Sequence, residues 1–127
     1  MKIKFEPVGI VRNGITDRYK MPYGGVDSTI FIYPRYRKAL KGINVHSRIL
    51  IISYLHKAKK NVLTARRRRK LPIDMTYRGV FSVRSPDRPN PIAISEVKMV
   101  RSLKGIIKAK GLDVINGTPV LDIKNTK

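Results

Sequence analysis

Apolar and polar residues alternate along most of this chain, in short runs that are typical of half-buried β-strands. β-Branched residues are frequent in these runs, and Gly, Pro and Asn separate one run from the next. We therefore expect short strands within residues 3–12, 28–33, 45–56, 62–63, 80–83, 92–100 and 106–114, and a hairpin with a tight Asn-Gly turn within residues 111–124.

Two segments depart from this alternation. Residues 13–27 contain three glycines and a proline and predict a long loop. After Pro34, the sequence RYRKALKG predicts one or two short helical turns that end at Gly42. The pattern as a whole predicts an all-β fold, a small single-domain β-barrel or curled sheet of seven or eight short strands. We expect residues 1–127 to form one domain that needs no metal or disulfide to stabilise its core.

Residues 79–95, GVFSVRSPDRPNPIAIS, contain a proline-rich loop between two apolar runs. Three prolines within six residues each remove an amide donor and restrict the preceding residue, so this backbone is stiff. The loop carries Arg84 and Arg88, whose guanidinium groups match the geometry of carboxylates and phosphates. The segment therefore suits anion binding, and a stiff strand connection with solvated charges is the alternative.

The chain is strongly basic, with 28 Lys and Arg against 8 Asp and Glu and a net charge of +20. No acidic residue occurs from Ser28 to Ile73, where thirteen basic residues lie. This charge favours a nucleic acid as partner. An anionic membrane surface is a weaker alternative because no basic amphipathic helix is evident, and a generally basic proteome would explain some of the lysines.

Several classes of function are excluded or disfavoured by what the sequence lacks. There is no cysteine, which excludes disulfides and thiolate chemistry. No leader-like segment, membrane span or familiar nucleotide-binding or hydrolase motif is present, and the only histidines are His46 and His56. We expect a cytoplasmic protein without a metal site or membrane association. Group transfer from a reactive cofactor requires less of the protein, which supplies mainly alignment.

The central string closely resembles the TrmO-type (TsaA-like) family of S-adenosylmethionine-dependent tRNA methyltransferases. The family pattern is similar to GVFATRSPxRPNPIGLS followed by DLLDGTPVLDIKPY, where this chain has GVFSVRSPDRPNPIAIS and GLDVINGTPVLDIK. The resemblance covers residues 6–124 and includes VGIVRN and HSRILIISYLHKA. It implies a β-barrel homodimer with S-adenosyl-L-methionine near the subunit interface. It also implies methylation of the exocyclic amine of threonylcarbamoyl-adenosine beside the anticodon of tRNA.

The same resemblance implies which residues contact the cofactor. Arg84 would pair with the methionine carboxylate, and Asp113 would contact the ribose hydroxyls or the ammonium group, unless it caps a turn. The cofactor-binding set is Pro22, Tyr23, Gly24, His56, Lys57, Arg84, Ile94, Leu112, Asp113, Asn116, Gly117, Thr118 and Pro119. Gly117, Thr118 and Pro119 would equally serve to shape the turn. No residue stands out as a general base.

Nucleic-acid contacts are predicted chiefly in the run of basic residues. Four consecutive arginines without an acidic neighbour favour phosphate contact, although such a run is usually a solvated face. The predicted RNA-binding residues are Arg66, Arg67, Arg68, Arg69, Lys70 and Arg88. Arg88 and Asn90 have an alternative role in bracing the proline-rich loop. A splayed base would stack on a tyrosine such as Tyr19, Tyr23 or Tyr77.

Three departures from the family pattern leave other functions open. Ala93 replaces a glycine, Asn116 replaces an aspartate, and the DIKPY ending is replaced by DIKNTK, after which we expect no counterpart of the further C-terminal domain of some members. A non-catalytic RNA-binding module with a decayed cofactor pocket is one alternative. A methyltransferase with another acceptor, such as a small molecule or a different RNA, is the second.

Overall fold

The computed structural model describes residues 1–66 and 76–126, and the described residues form eight strands. Six of the strands close into an antiparallel barrel with the order β1-β2-β7-β6-β3-β8, and β4 and β5 form a separate two-stranded ribbon. The prediction of a small all-β barrel is confirmed. The strands are β1 (Gly9–Arg12), β2 (Val26–Ile32), β3 (Arg48–Tyr54), β4 (Thr64–Arg66), β5 (Tyr77–Gly79), β6 (Ile92–Leu103), β7 (Ile106–Leu112) and β8 (Pro119–Asn125).

The core lies inside the barrel because the six barrel strands turn alternate residues inward. In β3, for example, Ile49, Ile51 and Ser53 are buried while the residues between them are partly exposed. This period of two is the sequence pattern that predicted the strands. The buried core consists of Val11, Ile30, Ile32, Ile49, Ile51, Val97, Met99, Ile107, Ala109, Leu112, Val114 and Val120.

The hairpin predicted around Asn116-Gly117 is wrong. The turn exists, with Gly117 in the left-handed region at a φ of 84°, but the strands on either side of it do not pair. β7 pairs with β2 and β6, whereas β8 crosses the barrel to pair with β1 and β3. The backbone groups of the turn bond to the chain around β1 instead: Gly117 donates to the Val11 carbonyl and Asn116 to the Ile15 carbonyl.

Strand bounds also differ from the prediction in several places. β1 begins at Gly9 rather than at residue 3, and β4 begins at Thr64, just after the predicted residues 62–63. The strand predicted at residues 80–83 is wrong, because Val80–Ser82 forms a 3₁₀ turn and the strand before it ends at Gly79. Periodicity in such a short apolar run does not separate a strand from a turn.

Three short 3₁₀ segments connect the strands, where one or two helical turns were predicted. Pro34–Leu40 is the predicted one, and Arg18–Lys20 and Val80–Ser82 are additional. Asp17 caps the first of these segments by accepting a hydrogen bond from the Tyr19 N–H. None of the helices in the described ranges has the length and apolar content that a membrane span requires.

Candidate functional site

A cavity of about 440 Å³ opens between loops at one end of the barrel. Its walls come from residues 55–58, which follow β3, from the proline-rich loop at 84–88, from the first residues of β6, and from residues 113–115, which follow β7. This volume lies within the usual range of small-molecule sites. The lining residues are Arg18, Leu55, His56, Lys57, Ala58, Arg84, Ser85, Pro86, Arg88, Ile92, Ala93, Ile94, Asp113, Val114, Ile115 and Thr118.

The proline-rich loop receives much of its shape from Arg88. The Arg88 Nε donates to the Ser85 carbonyl at 2.8 Å, and Nη2 donates to the carbonyls of Val80 and Val83. One guanidinium thus satisfies three carbonyl groups of a segment whose prolines prevent regular backbone pairing. The interpretation that Arg88 braces this loop is confirmed.

A carboxylate in the same loop joins three separate segments of the chain. Asp87 accepts two hydrogen bonds from Arg18, at 2.8 and 2.9 Å, and a third from the Lys59 N–H at 2.8 Å. Arg18 also donates to the Tyr19 hydroxyl at 3.0 Å. The Asp87 side chain is 19% exposed and that of Arg18 is 27% exposed, so water screens this pair less than a surface pair.

These contacts shift the pKa values of both groups in the expected directions. The hydrogen bonds from Arg18 lower the pKa of the Asp87 carboxyl, with a smaller contribution from the Lys59 N–H. The hydrogen bond to Asp87 raises the pKa of Arg18, and the Tyr19 hydroxyl adds to this. Both groups therefore stay charged at neutral pH. The pair fixes the loop around residues 17–20 against the wall of the cavity.

Two cationic side chains and one histidine line the cavity on the side of β3 and β6. Arg84 Nη2 donates to the Ile94 carbonyl at 2.6 Å, which uses one of its five N–H donors. Lys57 and His56 follow directly after β3. Partial burial lowers the pKa of His56, and the neighbouring Lys57 charge lowers it further. The imidazole is therefore neutral at pH 7.

One acidic side chain lines the cavity. Asp113 follows β7 and accepts a hydrogen bond from the Ser95 hydroxyl at 2.7 Å. Ser95 is buried and points inward from β6, so this bond fixes the carboxylate at the junction of two strands. The cavity therefore has acidic and basic groups in its walls, together with the apolar side chains of Leu55, Ile92 and Val114.

Six of the thirteen predicted cofactor residues line this cavity: His56, Lys57, Arg84, Ile94, Asp113 and Thr118. The Leu112 side chain is fully buried in the core and does not line the cavity, so its predicted contact with the cofactor stays a prediction. The alternation of β7 turns this position inward. The remaining predicted residues, Pro22, Tyr23, Gly24, Asn116, Gly117 and Pro119, do not line the cavity.

Those remaining residues lie in two turns beside the cavity. The loop at residues 22–25 packs on the end of β7, where a Cβ at Gly25 would lie 2.6 Å from the Leu112 carbonyl oxygen. Asn116 accepts a hydrogen bond from the Asn13 N–H at 3.2 Å, and Pro119 begins β8 opposite Ile10. The contacts of Asn116, Gly117 and Pro119 shape the turn before β8. A role for these turns in cofactor binding remains a prediction.

The predicted RNA-binding run lies almost wholly outside the described residues. Arg66 is in β4, with its guanidinium 5.4 Å from the centre of the Tyr77 ring. Arg67, Arg68, Arg69 and Lys70 are not among the described residues. Tyr19, Tyr23 and Tyr77, which were named as stacking candidates, are all exposed.

Sequence reasoning did not identify several residues of the wall. Arg18 lies in the long loop that was singled out for its length, but nothing local distinguishes it from other basic residues. The start of β6 was within the recognised string, and its alternation predicts that Ile92 lies on the same face as Ile94. The other lining residues that were not predicted are Leu55, Ala58, Ser85, Pro86 and Ala93.

The described residues contain no cluster of side chains that could bind a metal ion. Within residues 1–66 and 76–126, no three His, Asp or Glu residues come together as a group that could hold a metal ion.

Comparisons with known proteins identify relatives over the full length of the chain. A probable S-adenosyl-L-methionine-binding protein of Methanothermobacter thermautotrophicus is 38% identical over 98% of this chain and 90% of its own length. An S-adenosyl-L-methionine-binding protein of Archaeoglobus fulgidus is 32% identical over 94% and 86%. The human tRNA (adenine(37)-N6)-methyltransferase is 38% identical over 68% of this chain and 19% of its own length.

Structural similarity agrees with these relationships. The crystal structure of TrmO from Pseudomonas aeruginosa superposes with a TM-score of 0.77 at 27% identity, over 100% of this chain. This chain spans 57% of that structure. Residues 16–126 match the family model described as the tRNA-methyltransferase O N-terminal domain. The chain therefore belongs to the TrmO family.

Proposed function

We propose that this protein is an S-adenosyl-L-methionine-dependent methyltransferase that acts on an adenine of tRNA. The observation that carries the proposal is the cavity, which combines Arg84, Lys57 and Asp113 with apolar walls in a volume of about 440 Å³. Such a set suits a ligand with a carboxylate, an ammonium group, ribose hydroxyls and an apolar ring face. The names of the relatives, which refer to S-adenosyl-L-methionine binding and to tRNA adenine methylation, support it.

The residues of the cavity have distinct proposed roles in holding the cofactor. The Arg84 guanidinium, presented by the stiff loop that Arg88 braces, pairs with the cofactor carboxylate. Asp113, held by Ser95, accepts from the ribose hydroxyls or the ammonium group. Ile92, Ile94 and Val114 would cover the adenine ring. When bound, S-adenosyl-L-methionine supplies an electrophilic methyl group.

The protein's contribution to the transfer is alignment and exclusion of water. An adenine exocyclic amine is a weak nucleophile, because its lone pair is delocalised into the ring. Effective molarities of well-oriented groups correspond to about 7–11 kcal/mol of barrier. The Arg18–Asp87 pair and the Arg88 brace keep two walls of the cavity rigid, as such alignment requires. We assign no general base.

The finer parts of the proposal concern the acceptor and the assembly. We infer that the acceptor is threonylcarbamoyl-adenosine next to the anticodon, and that two copies form a cytoplasmic homodimer with the cofactor near their interface. The net charge of +20 supports a polyanionic acceptor. Phe81, which precedes the proline-rich loop and is 90% exposed, would provide apolar surface for a second copy.

Titration calorimetry and methyl transfer test the proposal together. The protein is titrated with S-adenosyl-L-methionine, and then incubated with unfractionated tRNA and cofactor labelled in the methyl group. We expect saturable heat and label on the adenosine beside the anticodon. Heat without transfer to any RNA or small molecule would favour a protein that binds S-adenosyl-L-methionine without catalysing methyl transfer.

Two other outcomes would contradict parts of the proposal. No detectable heat at millimolar cofactor would leave only a basic RNA-binding module. Label recovered at a different nucleotide would support the methyltransferase activity and contradict the proposed acceptor.

A further inference from the structure

The outer face of three neighbouring strands places basic side chains directly opposite one another. Lys98 of β6 pairs in register with Lys110 of β7 on one side and with Arg48 of β3 on the other. The next pair toward the β6–β7 turn whose side chains face outward is Arg101 opposite Lys108. All five side chains are exposed. We call these five residues, Arg48, Lys98, Arg101, Lys108 and Lys110, the cation ladder.

This arrangement works against the stability of the sheet. Like charges at directly opposed positions destabilise a pair of strands, and here this occurs in two outward-facing pairs of β6 and β7, with the buried Met99–Ala109 pair between them. β6 adds Glu96 to the outer face, and the Glu96 carboxylate lies 3.8 Å from the Arg48 guanidinium. β2 adds Asp27. Five cations against two carboxylates leave a net positive face. A polyanion that bridges opposed cations would remove their repulsion.

The position of the cation ladder connects it with the cavity. Ile92 and Ile94 line the cavity and point to the outer face of β6, the same face as Lys98. Four residues of strand separate Ile94 from Lys98, which corresponds to about 13 Å. β7 runs from Lys108 and Lys110 to Asp113 in the cavity wall. Two rows of cations therefore lead away from the site where a nucleotide would be methylated.

We propose that the cation ladder holds the phosphate backbone of the RNA acceptor outside the cavity. Lys108 and Lys110 are two residues apart on one face, or about 7 Å, so their ammonium groups are placed to contact successive phosphates. Lysine is suited to this role because its point charge imposes no sequence preference. The inference relies on the proposed function for the identity of the polyanion. It assigns backbone binding to residues outside the basic run at positions 66–70.

An anionic membrane is the less favoured partner for this face. Surface-bound membrane proteins combine cations with exposed aromatic or leucine side chains that enter the bilayer boundary. No aromatic side chain lies at the outward positions between the members of the cation ladder. Val100 of β6, which precedes Arg101, is only half-exposed. Exposed Leu103 of β6 and Phe31 of β2 border the cation ladder near the β6–β7 turn, so binding to anionic vesicles is the measurement that separates a membrane from RNA.

Charge reversal at Lys110 tests the proposal through two effects of opposite direction. In Lys110→Glu the new carboxylate faces Lys98, so the melting temperature is expected to rise. Affinity for a fluorescent single-stranded RNA oligonucleotide is expected to fall roughly threefold or more. The log–log slope of affinity against salt should decrease by about 0.7 for each phosphate that the variant no longer binds. Lys108→Glu, opposite Arg101, should behave in the same way.

The matched control is Lys4→Glu, which changes the charge by the same amount. Lys4 is exposed and precedes β1, which lies across the barrel from β6. We expect its RNA affinity and salt slope to stay close to those of the unmodified protein. Equal losses in Lys4→Glu and Lys110→Glu, or no loss in Lys110→Glu, would overturn the cation ladder. If Lys110→Glu loses binding to phosphatidylserine-containing vesicles but keeps binding to RNA, the cation ladder is a membrane-binding surface and the proposal is wrong.

The oligonucleotide assay separates this inference from the proposed function, because it requires no methyl transfer. If the protein binds RNA through the cation ladder but methylates no tRNA, the proposed function is wrong and the proposed binding surface is correct. If the protein methylates tRNA and the KM for tRNA is unchanged in Lys110→Glu, the proposed function is correct and the proposed binding surface is wrong. If both are correct, the variant raises the KM for tRNA with little change in kcat.

Discussion

The barrel wall and the rim of the cavity are stabilised by different kinds of interaction. The barrel wall has continuous backbone pairing and a core of twelve buried residues without a charged side chain. The rim, formed by residues 55–58 and 84–88, lacks strand pairing and relies on Arg88 and on the Arg18–Asp87 pair. The wall is therefore sensitive to loss of apolar volume, and the rim to loss of a few charged groups.

Substitution of Arg88 gives the largest expected effect on the rim. Arg88→Ala leaves the carbonyls of Val83 and Ser85 without their side-chain donor and the Val80 carbonyl with only the bond from the Val83 N–H, at a cost of about 2–4 kcal/mol in the free energy of unfolding. Urea denaturation measures this cost. The barrel wall does not contact Arg88 through these bonds, so the variant should keep the far-ultraviolet circular dichroism of a β-protein.

Arg88→Lys separates the bracing role from the predicted RNA-binding role of this residue. One ammonium group cannot reach three carbonyls that a planar guanidinium spans, so we expect the lysine variant to lose most of the same stability. Full stability in Arg88→Lys together with an altered salt dependence of RNA binding would assign Arg88 to RNA instead.

Arg84→Ala tests whether the rim that Arg88 braces serves to present a cofactor contact. A charge-assisted hydrogen bond to a carboxylate contributes about 1.5–3 kcal/mol, so affinity for S-adenosyl-L-methionine should fall roughly 10- to 100-fold by titration calorimetry. Arg101→Ala removes the same side chain from the cation ladder and should leave this affinity unchanged. Equal affinity in both variants would make Arg84 a structural residue that only ties the loop to Ile94.

The same contrast explains which parts of the molecule the sequence could predict. The alternation of Ser95, Val97 and Met99 in β6 is local, and it identified the strand and its buried face. The partners of β8 are not local, and the strong Asn-Gly turn signal favoured a hairpin because nothing nearby indicates that β8 crosses to β1 and β3.

The rim was even less predictable from local pattern. Arg18 and Asp87 are 69 residues apart, and each lies in a loop without periodicity. Arg88 was identified as a guanidinium on a stiff loop that suits anion binding, and its role in bracing the loop was the alternative. Among the predicted cavity residues, Arg84 was also indicated by the stiff loop that carries its guanidinium, and the others came from the resemblance of residues 6–124 to a known family.

Acid should destabilise the rim through Asp87. The pKa of this carboxyl is lowered in the folded protein by the bonds from Arg18, so its contribution to stability is complete above the unfolded pKa near 4 and is lost as the pH falls through the lower, folded value. Arg18 has a raised pKa and stays protonated throughout this range. We expect Asp87→Asn to cost about 1–2 kcal/mol at pH 7.

Urea denaturation at pH 7 and at pH 3 checks this dependence. The difference in unfolding free energy between the unmodified protein and Asp87→Asn should shrink toward the lower pH. The exposed Lys124–Asp122 pair provides a control, since Asp122→Asn should cost little at either pH. A constant difference for Asp87→Asn across this range would show that the ion pair does not hold the rim.

The smallest expected effect is in the barrel wall, at a polar residue that the core does not satisfy. The Ser53 hydroxyl is fully buried and has no hydrogen-bond partner among the described residues. Ser53 faces Ala93, a residue of the cavity wall, across the β3–β6 pair. Ser53→Ala removes an unsatisfied buried hydroxyl, so stability should rise by up to about 1 kcal/mol without a change in cofactor affinity. A stability loss accompanied by weaker cofactor binding would instead connect this core position to the cavity, and the separation of wall and rim would then fail at the strands that line both.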